Sequence, residues 1–281
     1  MPSSHLVGVA LALSSSVFYG SADFFGGLAS RRNSPYQVLA LAGSIGMIAM
    51  TGLALLWGEG WPSLRAVLFA ASGGVVGTLG LIPLYRGIAR GHTAVVSPVA
   101  GVIGAAIPVA FAAFTAGWPA PIQMAGFAVA IPGIWLVTLT SSAKEEEPHN
   151  GFLLGTLAGI SFGVYFIIIA QIGKGAVFGP LAVAKVSSCL LAVGLLAATG
   201  TRLPSFTGNP AAILAGVFDP VANAFYLIST AYTRMDVAVV LASLYPMGTV
   251  FLSRLVLKEH ISRLQWAGVA LCLAAIALIT L

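Results

Sequence analysis

Long apolar runs recur along almost the whole chain, separated by short segments holding Arg, Lys, Asn, Pro or Gly. Ten of them, at about 6–28, 35–57, 65–85, 93–115, 119–140, 151–172, 179–199, 210–231, 236–256 and 263–281, are each near the twenty residues that cross a bilayer as a helix. Membrane strands would instead show alternating segments of about ten residues. The pattern therefore predicts an all-α membrane protein with ten transmembrane helices.

Composition agrees with the pattern. Of 281 residues, 58% are hydrophobic and only 7% charged, with a mean hydropathy of +0.99, against roughly 25% charged in a soluble domain. The formal net charge of +5 raises the question of an acidic partner, but in a membrane protein basic residues mainly set orientation, so no nucleic-acid partner is expected. Turns after the odd-numbered spans hold Arg31, Arg32, Arg86, Arg90, Lys144, Arg202, Arg254, Lys258 and Arg263, against Arg65, Lys174, Lys185 and Arg234 opposite. That bias weakly favours cytoplasmic odd turns and external termini. The opening "MPSSHLVGVALALSSSVFYG" lacks a basic n-region and reads as a retained span. Cys189 and Cys272 each fall mid-span as buried small apolar side chains, not a disulfide framework.

The acidic segment 141–150, "SSAKEEEPHN", reads as a linker between halves 1–140 and 151–281. "WPAPIQMAGFAVAIPGIWLVTL" (118–139) and "HISRLQWAGVALCLAAIALITL" (260–281) share eight identities in 22 positions, including Gln123/Gln265 and Gly126/Gly268. "RGHTAVV" from Arg90 aligns with "RMDVAVV" from Arg234, Gly104 with Gly248, and "GVALALSSSVF" from Gly8 with "GTLAGISFGVY" from Gly155. Five spans per half bring the second half into the membrane from the opposite face. The expected architecture is thus two inverted five-helix repeats around a central cavity, bounded by spans 1, 3, 4, 6, 8 and 9, with a substrate site near mid-bilayer.

Ten spans in two halves, with Pro246, Glu259, Gln265 and Gly268 in the second and Pro98, Gln123 and Gly126 in the first, resemble the EamA-type branch of the drug/metabolite transporter superfamily. The likeness covers nearly the whole chain. It departs where Trp118-Pro119 stands in place of a first-half acid matching Glu259. Among bacterial members the chain is most similar to aromatic amino-acid exporters, which implies a multi-pass inner-membrane protein exporting aromatic or neutral amino acids and related metabolites. The alternatives are a multidrug or other metabolite carrier of the same superfamily, or a channel. Glu259, Gln265 and Gly268 form the structural motif of the resemblance.

Glu259 lies in the tight turn "RLVLKEHISR". Arg254 and Lys258 are expected to cap span 9 against the helix dipole, and Glu259 to pair with Arg263 or with amides opening span 10. A direct substrate role for Glu259 is the minor alternative.

Deep ionisable groups face a cavity or a partner. Asp219, nine or ten residues into span 8, lies roughly 14 Å deep at 1.5 Å per residue. Pro220 stands beside it, and Asn223, Tyr226 and Thr230 continue a polar stripe. Asp219 either contacts substrate, couples to protons, or makes a helix-to-helix hydrogen bond. Tyr19 and Tyr165, beside Phe18 and Phe166, offer aromatic surface with hydroxyls; ordinary helix packing is the competing reading. Tyr85 and Tyr245 complete the substrate-binding candidates. Asp23, five residues from its span end, is expected at a watery interface, and Lys185 is expected to snorkel. Pro98, Gly101 and Gly104 in span 4, with Pro108, and Pro246 and Gly248 in span 9, are the expected helix breaks or gates.

"GGVVGTLG" (73–80) lies inside a span with no following Lys-Ser/Thr, so it reads as close helix packing. "NPA" (209–211) is a single helix start, Asn209 capping and Pro210 first in the helix. His5, His92, His149 and His260 lie at span ends, and no catalytic dyad, paired carboxylate or metal-ligand spacing is visible. No catalytic residue, metal or cofactor is expected. The expected partners are a small-molecule substrate and the lipid bilayer; no oligomeric state is specified. The lack of a deep paired Arg or Lys argues against strongly anionic cargo.

Overall fold

The computed structural model describes residues 2–116, 118, 120–139, 148–169, 171–172, 175–202, 205, 208–233, 238 and 241–280. These residues form ten helices and no strand. They are α1 (Pro2–Ala29), α2 (Pro35–Leu56), α3 (Leu64–Ala89), α4 (Thr93–Ala116), α5 (Pro121–Leu139), α6 (Pro148–Ile169), α7 (Phe178–Ala198), α8 (Pro210–Tyr232), α9 (Tyr245–Val256) and α10 (Arg263–Thr280). Six of them, α1, α2, α3, α6, α7 and α8, are long and apolar enough to cross a membrane. Large apolar side chains such as Leu55, Leu56, Ile48 and Leu190 cover the outside, as lipid-facing helices require.

Local chemistry fixes several helix starts. Ser34 caps α2 by accepting from the Gln37 amide at 3.2 Å, while the Gln37 side chain accepts from the Ser34 amide at 2.9 Å, a reciprocal box with Pro35 in the first turn. The Gln123 side chain accepts from the Ala120 amide before α5, and Gln265 from the Ser262 amide before α10, both at 2.9 Å. The paired glutamines thus do the same job at two helix starts. Pro148 opens α6, so residues 148–150 of the expected 141–150 segment are helical; residues 140–147 lie outside the described ones.

Each half contributes faces to one shared core. α1 packs on α8, α2 on α7, α3 on α6 and α7, α4 on α6, and α5 on α10. The turn after α2 meets the start of α7: the Glu59 carboxylate accepts from the Val177, Phe178 and Gly179 amides at 2.9, 3.2 and 2.8 Å. Three otherwise orphaned donors are thereby satisfied where the helix dipole favours an anion. The turn before α2 meets the start of α8, with Asn33 donating to Asn209 at 2.6 Å. The end of α9 meets the start of α4, with Ser253 donating to Thr93 at 3.1 Å. Consequently α2 runs antiparallel to α7, and α4 to α9.

Two expectations about helix ends change. Asn209 occupies the cap position of α8 but makes no side-chain cap bond; it is committed to Asn33 and to the Ser205 carbonyl. Span 9 is not a continuous 236–256 helix, because residues 243–244 form a turn and α9 starts at Tyr245. Pro246 in the first turn of α9 explains the restart, since proline lacks the amide that would continue a preceding helix. Residues 234–237, 239 and 240 lie outside the described ones.

The expected counterpart break in α4 is absent: the helix runs through Pro98 and Pro108. Gly101 serves close approach instead. A Cβ there would stand 2.8 Å from the Pro246 ring, while at Gly104 the nearest neighbour would be an ordinary 3.5 Å away. Pro98, Gly101 and Gly104 are therefore not breaks in this structure.

Candidate functional site

One cavity lies between the halves, with a volume of about 90 Å³ counted as space open to the centre of a water molecule. At roughly 10–15 Å³ per water on that measure, it holds several waters or a small metabolite. α1, α2, α3, α6, α7, α8 and the first residue of α9 line it. The expected boundary is corrected in two places. α2 and α7 form part of the wall, and α4 does not, because it packs behind α6 and α9. Glycines 43, 73, 74 and 77 line one side and serve close packing, a Cβ at Gly74 standing 2.1 Å from the Ala184 carbonyl oxygen, while Tyr19, Tyr85, Phe162, Tyr165 and Phe166 enclose the space elsewhere.

A polar network crosses this apolar cavity. The ammonium of Lys185 on α7 pairs with Oδ2 of Asp219 on α8. Oδ1 of Asp219 accepts from Asn223 at 2.9 Å. The Asn223 amide also donates to the Asp219 carbonyl at 2.7 Å. The Asn223 carbonyl accepts from both Tyr19 on α1, at 3.0 Å, and Tyr165 on α6, at 2.6 Å. One asparagine therefore ties two tyrosines from different halves to an ion pair. Its bonding capacity is used in full, as a buried polar group requires.

Lys185 does not snorkel. It is the eighth residue of α7, and Asp219 is the tenth of α8. The two helices start from opposite ends of the bundle, so both groups reach the middle third, and a flexible four-carbon stem spans the remainder. The argument against anionic cargo from a missing deep cation therefore lapses. Asp23 is also relocated: it is only 6% exposed and lines the cavity rather than an interface. Helix α1 continues to Ala29 beyond it, and Tyr85 packs against Gly26 one turn on.

Tyr19, Tyr85, Tyr165, Asp219, Asn223 and Tyr245 meet at the cavity. Tyr226 does not. It is buried outside the cavity lining, its ring 6.1 Å from that of Phe166, one turn beyond Asn223 along α8. Thr230 bonds its own helix at the Leu227 carbonyl. Lys185 and Asp23 are the residues that sequence reasoning misplaced, although a charge eight residues inside an apolar run was a visible signal for Lys185. Gly248 and Gly20 mark the close crossing of α9 and α1.

Glu259, in the turn between α9 and α10, reaches neither Arg263 nor the start of α10. Its Oε1 accepts from the Thr93 amide at 3.1 Å, at the start of α4. Ser262 and Gln265 already serve α10. Arg254 donates to the Glu259 carbonyl at 3.0 Å, and Lys258 adopts a left-handed φ of 52° as the chain leaves α9. The other carboxylate oxygen, Oε2, is buried without a partner.

Burial pushes the Glu259 pKa up to about 7 from 4.5, against the bonds from Thr93. The folded state then holds a proton that the unfolded chain releases, so the stabilising contribution is complete below about pH 4.5 and is lost as pH rises through 7. The stability of the purified protein, measured by thermal unfolding, should fall by about 1–2 kcal/mol between pH 5 and 8. Glu259→Gln should flatten that dependence; an unchanged slope would show that another group titrates.

No curated protein matches the chain. Among fifteen matching chains of solved structures is a crystal structure of a protein with 19% sequence identity and a TM-score of 0.64. The match covers 95% of this chain and 98% of that one; at this identity the likeness shows the fold alone. Residues 149–281 match the model of the EamA-like transporter family. The second half of the chain is thus similar to an EamA-like transporter domain, and six of the chain's described helices are long and apolar enough to cross a membrane.

Proposed function

We propose that the protein is a secondary carrier in a bacterial inner membrane, with ten spans in two inverted repeats, exporting aromatic or neutral amino acids and related metabolites by alternating access. The observation that carries this reading is the Tyr19–Asn223–Tyr165 junction beside the Lys185–Asp219 pair. It joins the two halves across an aromatic-walled cavity. A rocking motion of the halves would have to remake that junction, and cargo in the cavity would bias it. The antiparallel courses of α2 and α7, and of α4 and α9, support inversion of the repeats, as do the matching Gln123 and Gln265 caps. The amino-acid cargo and outward direction rest on the resemblance to aromatic amino-acid exporters.

Proteoliposome uptake tests the reading, using amino acids, nucleotide sugars and cationic drugs with and without a proton gradient. Preloaded amino acid should accelerate uptake of labelled aromatic or neutral amino acid, and Asp219→Asn should lower the rate at least about tenfold while the protein still inserts. Channel-like flux with no counter-substrate acceleration would overturn the carrier. Preference for a different cargo class would overturn the amino-acid assignment.

A further inference from the structure

We propose that Asp23, with the hydroxyls of Tyr245 and Tyr85, forms a cation subsite of the cavity that takes the ammonium group of the transported molecule. This rests on the carrier reading above and adds which chemical group the cargo presents, and where.

Every strong polar group on the Lys185 side of the cavity has a protein partner, whereas the Asp23 side does not. Asp23 is 94% buried, being 6% exposed, and makes no hydrogen bond or ion pair with any described residue. The Tyr245 hydroxyl is buried and has no partner either. Both residues line the same cavity, together with Tyr85. Tyr85 and Tyr245 each lie within electrostatic reach of Asp23. A carboxylate and a phenol left open towards a shared space lack a donor-rich group between them. A primary ammonium supplies three donors and a positive charge, and aromatic rings around it add cation–π attraction.

Charge accounting points the same way. Asp23 and Asp219 set two carboxylates against the single ammonium of Lys185, leaving the wall formally one positive charge short of neutrality. Lys185 cannot serve both acids, because it is committed to Asp219, whose second oxygen is held by Asn223. Asp23 lies one helical turn from Tyr19, about 6 Å along α1 at 1.5 Å per residue, and Tyr19 belongs to the Asn223 junction. A cation seated at Asp23 therefore lies next to the contact that ties the halves together. The two N–H groups of Lys185 not used by Asp219 remain for an acidic or carbonyl end of the same molecule.

Calorimetric binding to the purified full-length protein tests this with three probes of one shape: phenylalanine, phenethylamine, which keeps only the amine, and 3-phenylpropionate, which keeps only the acid. The wild type should bind the two amines more tightly than the acid. Asp23→Asn should weaken both amines at least about tenfold, as loss of a charged hydrogen bond does, and leave the acid within about threefold. Tyr245→Phe, which removes one oxygen without altering the ring, should weaken the amines by about three- to tenfold and decides the matter if Asp23→Asn does not fold. Amine affinity unchanged in Tyr245→Phe and in a folded Asp23→Asn, preference for the acid, or binding of none of the probes would overturn the subsite. Proteoliposome uptake separates the two readings: cargo uptake that ignores the amine sinks the subsite alone, and no uptake of any metabolite sinks the carrier.

Discussion

Lys185→Ala is expected to destabilise the protein by about 3–5 kcal/mol and to abolish transport, because it strands the Asp219 carboxylate in the membrane interior without its cation. The pair itself is weak evidence for net stability, since removing two charges from water costs nearly what their attraction returns. The damage comes from breaking it one-sidedly. Lys185→Met combined with Asp219→Leu should therefore recover much of the stability, measured by thermal unfolding in detergent, yet leave uptake in proteoliposomes near background. Recovery of uptake in the double variant would remove the pair from the mechanism. A single Lys185→Ala variant as stable as the wild type would show that Asp219 finds another partner or a proton.

Two glycines at one helix crossing should behave oppositely. At Gly20 a Cβ would stand 2.6 Å from the Tyr245 carbonyl oxygen and 3.1 Å from both the Gly248 Cα and the Thr249 amide nitrogen. All three are backbone atoms and cannot turn aside, so Gly20→Ala must push α1 from α9 and should cost about 1–3 kcal/mol. It also strains the bond from Thr249 to the Gly20 carbonyl, 3.2 Å long. At Gly248 the added Cβ would meet only the Gly20 Cα, at 3.6 Å, an ordinary contact. Gly248→Ala should be neutral or slightly stabilising, since alanine suits a helix interior better than glycine. Thermal unfolding of the two variants side by side checks this, and a reversed order would mean that the crossing is not as close as described.

Asp219 shows how far the sequence could go. Its depth follows from counting along an apolar run, and the inward aim of Asp219 and Asn223 follows from their spacing of four on a helix. Tyr19 and Tyr165 stood out for the same reason, as hydroxyl-bearing rings on the first helix of each half. Their convergence on one asparagine carbonyl was not visible, because the residues lie 204 and 58 positions from Asn223. Tyr226 marks the limit of the stripe argument: a helix face is wide, and which part of it meets the cavity depends on the rotation of α8 against its neighbours.

Glu259 and Pro246 show a second limit. The turn carrying Glu259 was legible, but its carboxylate serves α4, not the adjoining helix. Proline flags the restart of α9, yet two prolines leave α4 unbroken, because neighbouring helices support the backbone around them.

By itself the sequence determined the helical class and the approximate helix extents, since each long apolar run must satisfy its own backbone bonds wherever water is absent. It also placed Asp219 at its depth, though not Lys185 or Asp23. Only the tertiary structure decided which helices wall the cavity, that Lys185 pairs with Asp219, and that Asp23 is left open. Those outcomes depend on which faces of antiparallel helices meet, and pairing between distant segments leaves no periodic trace along the chain.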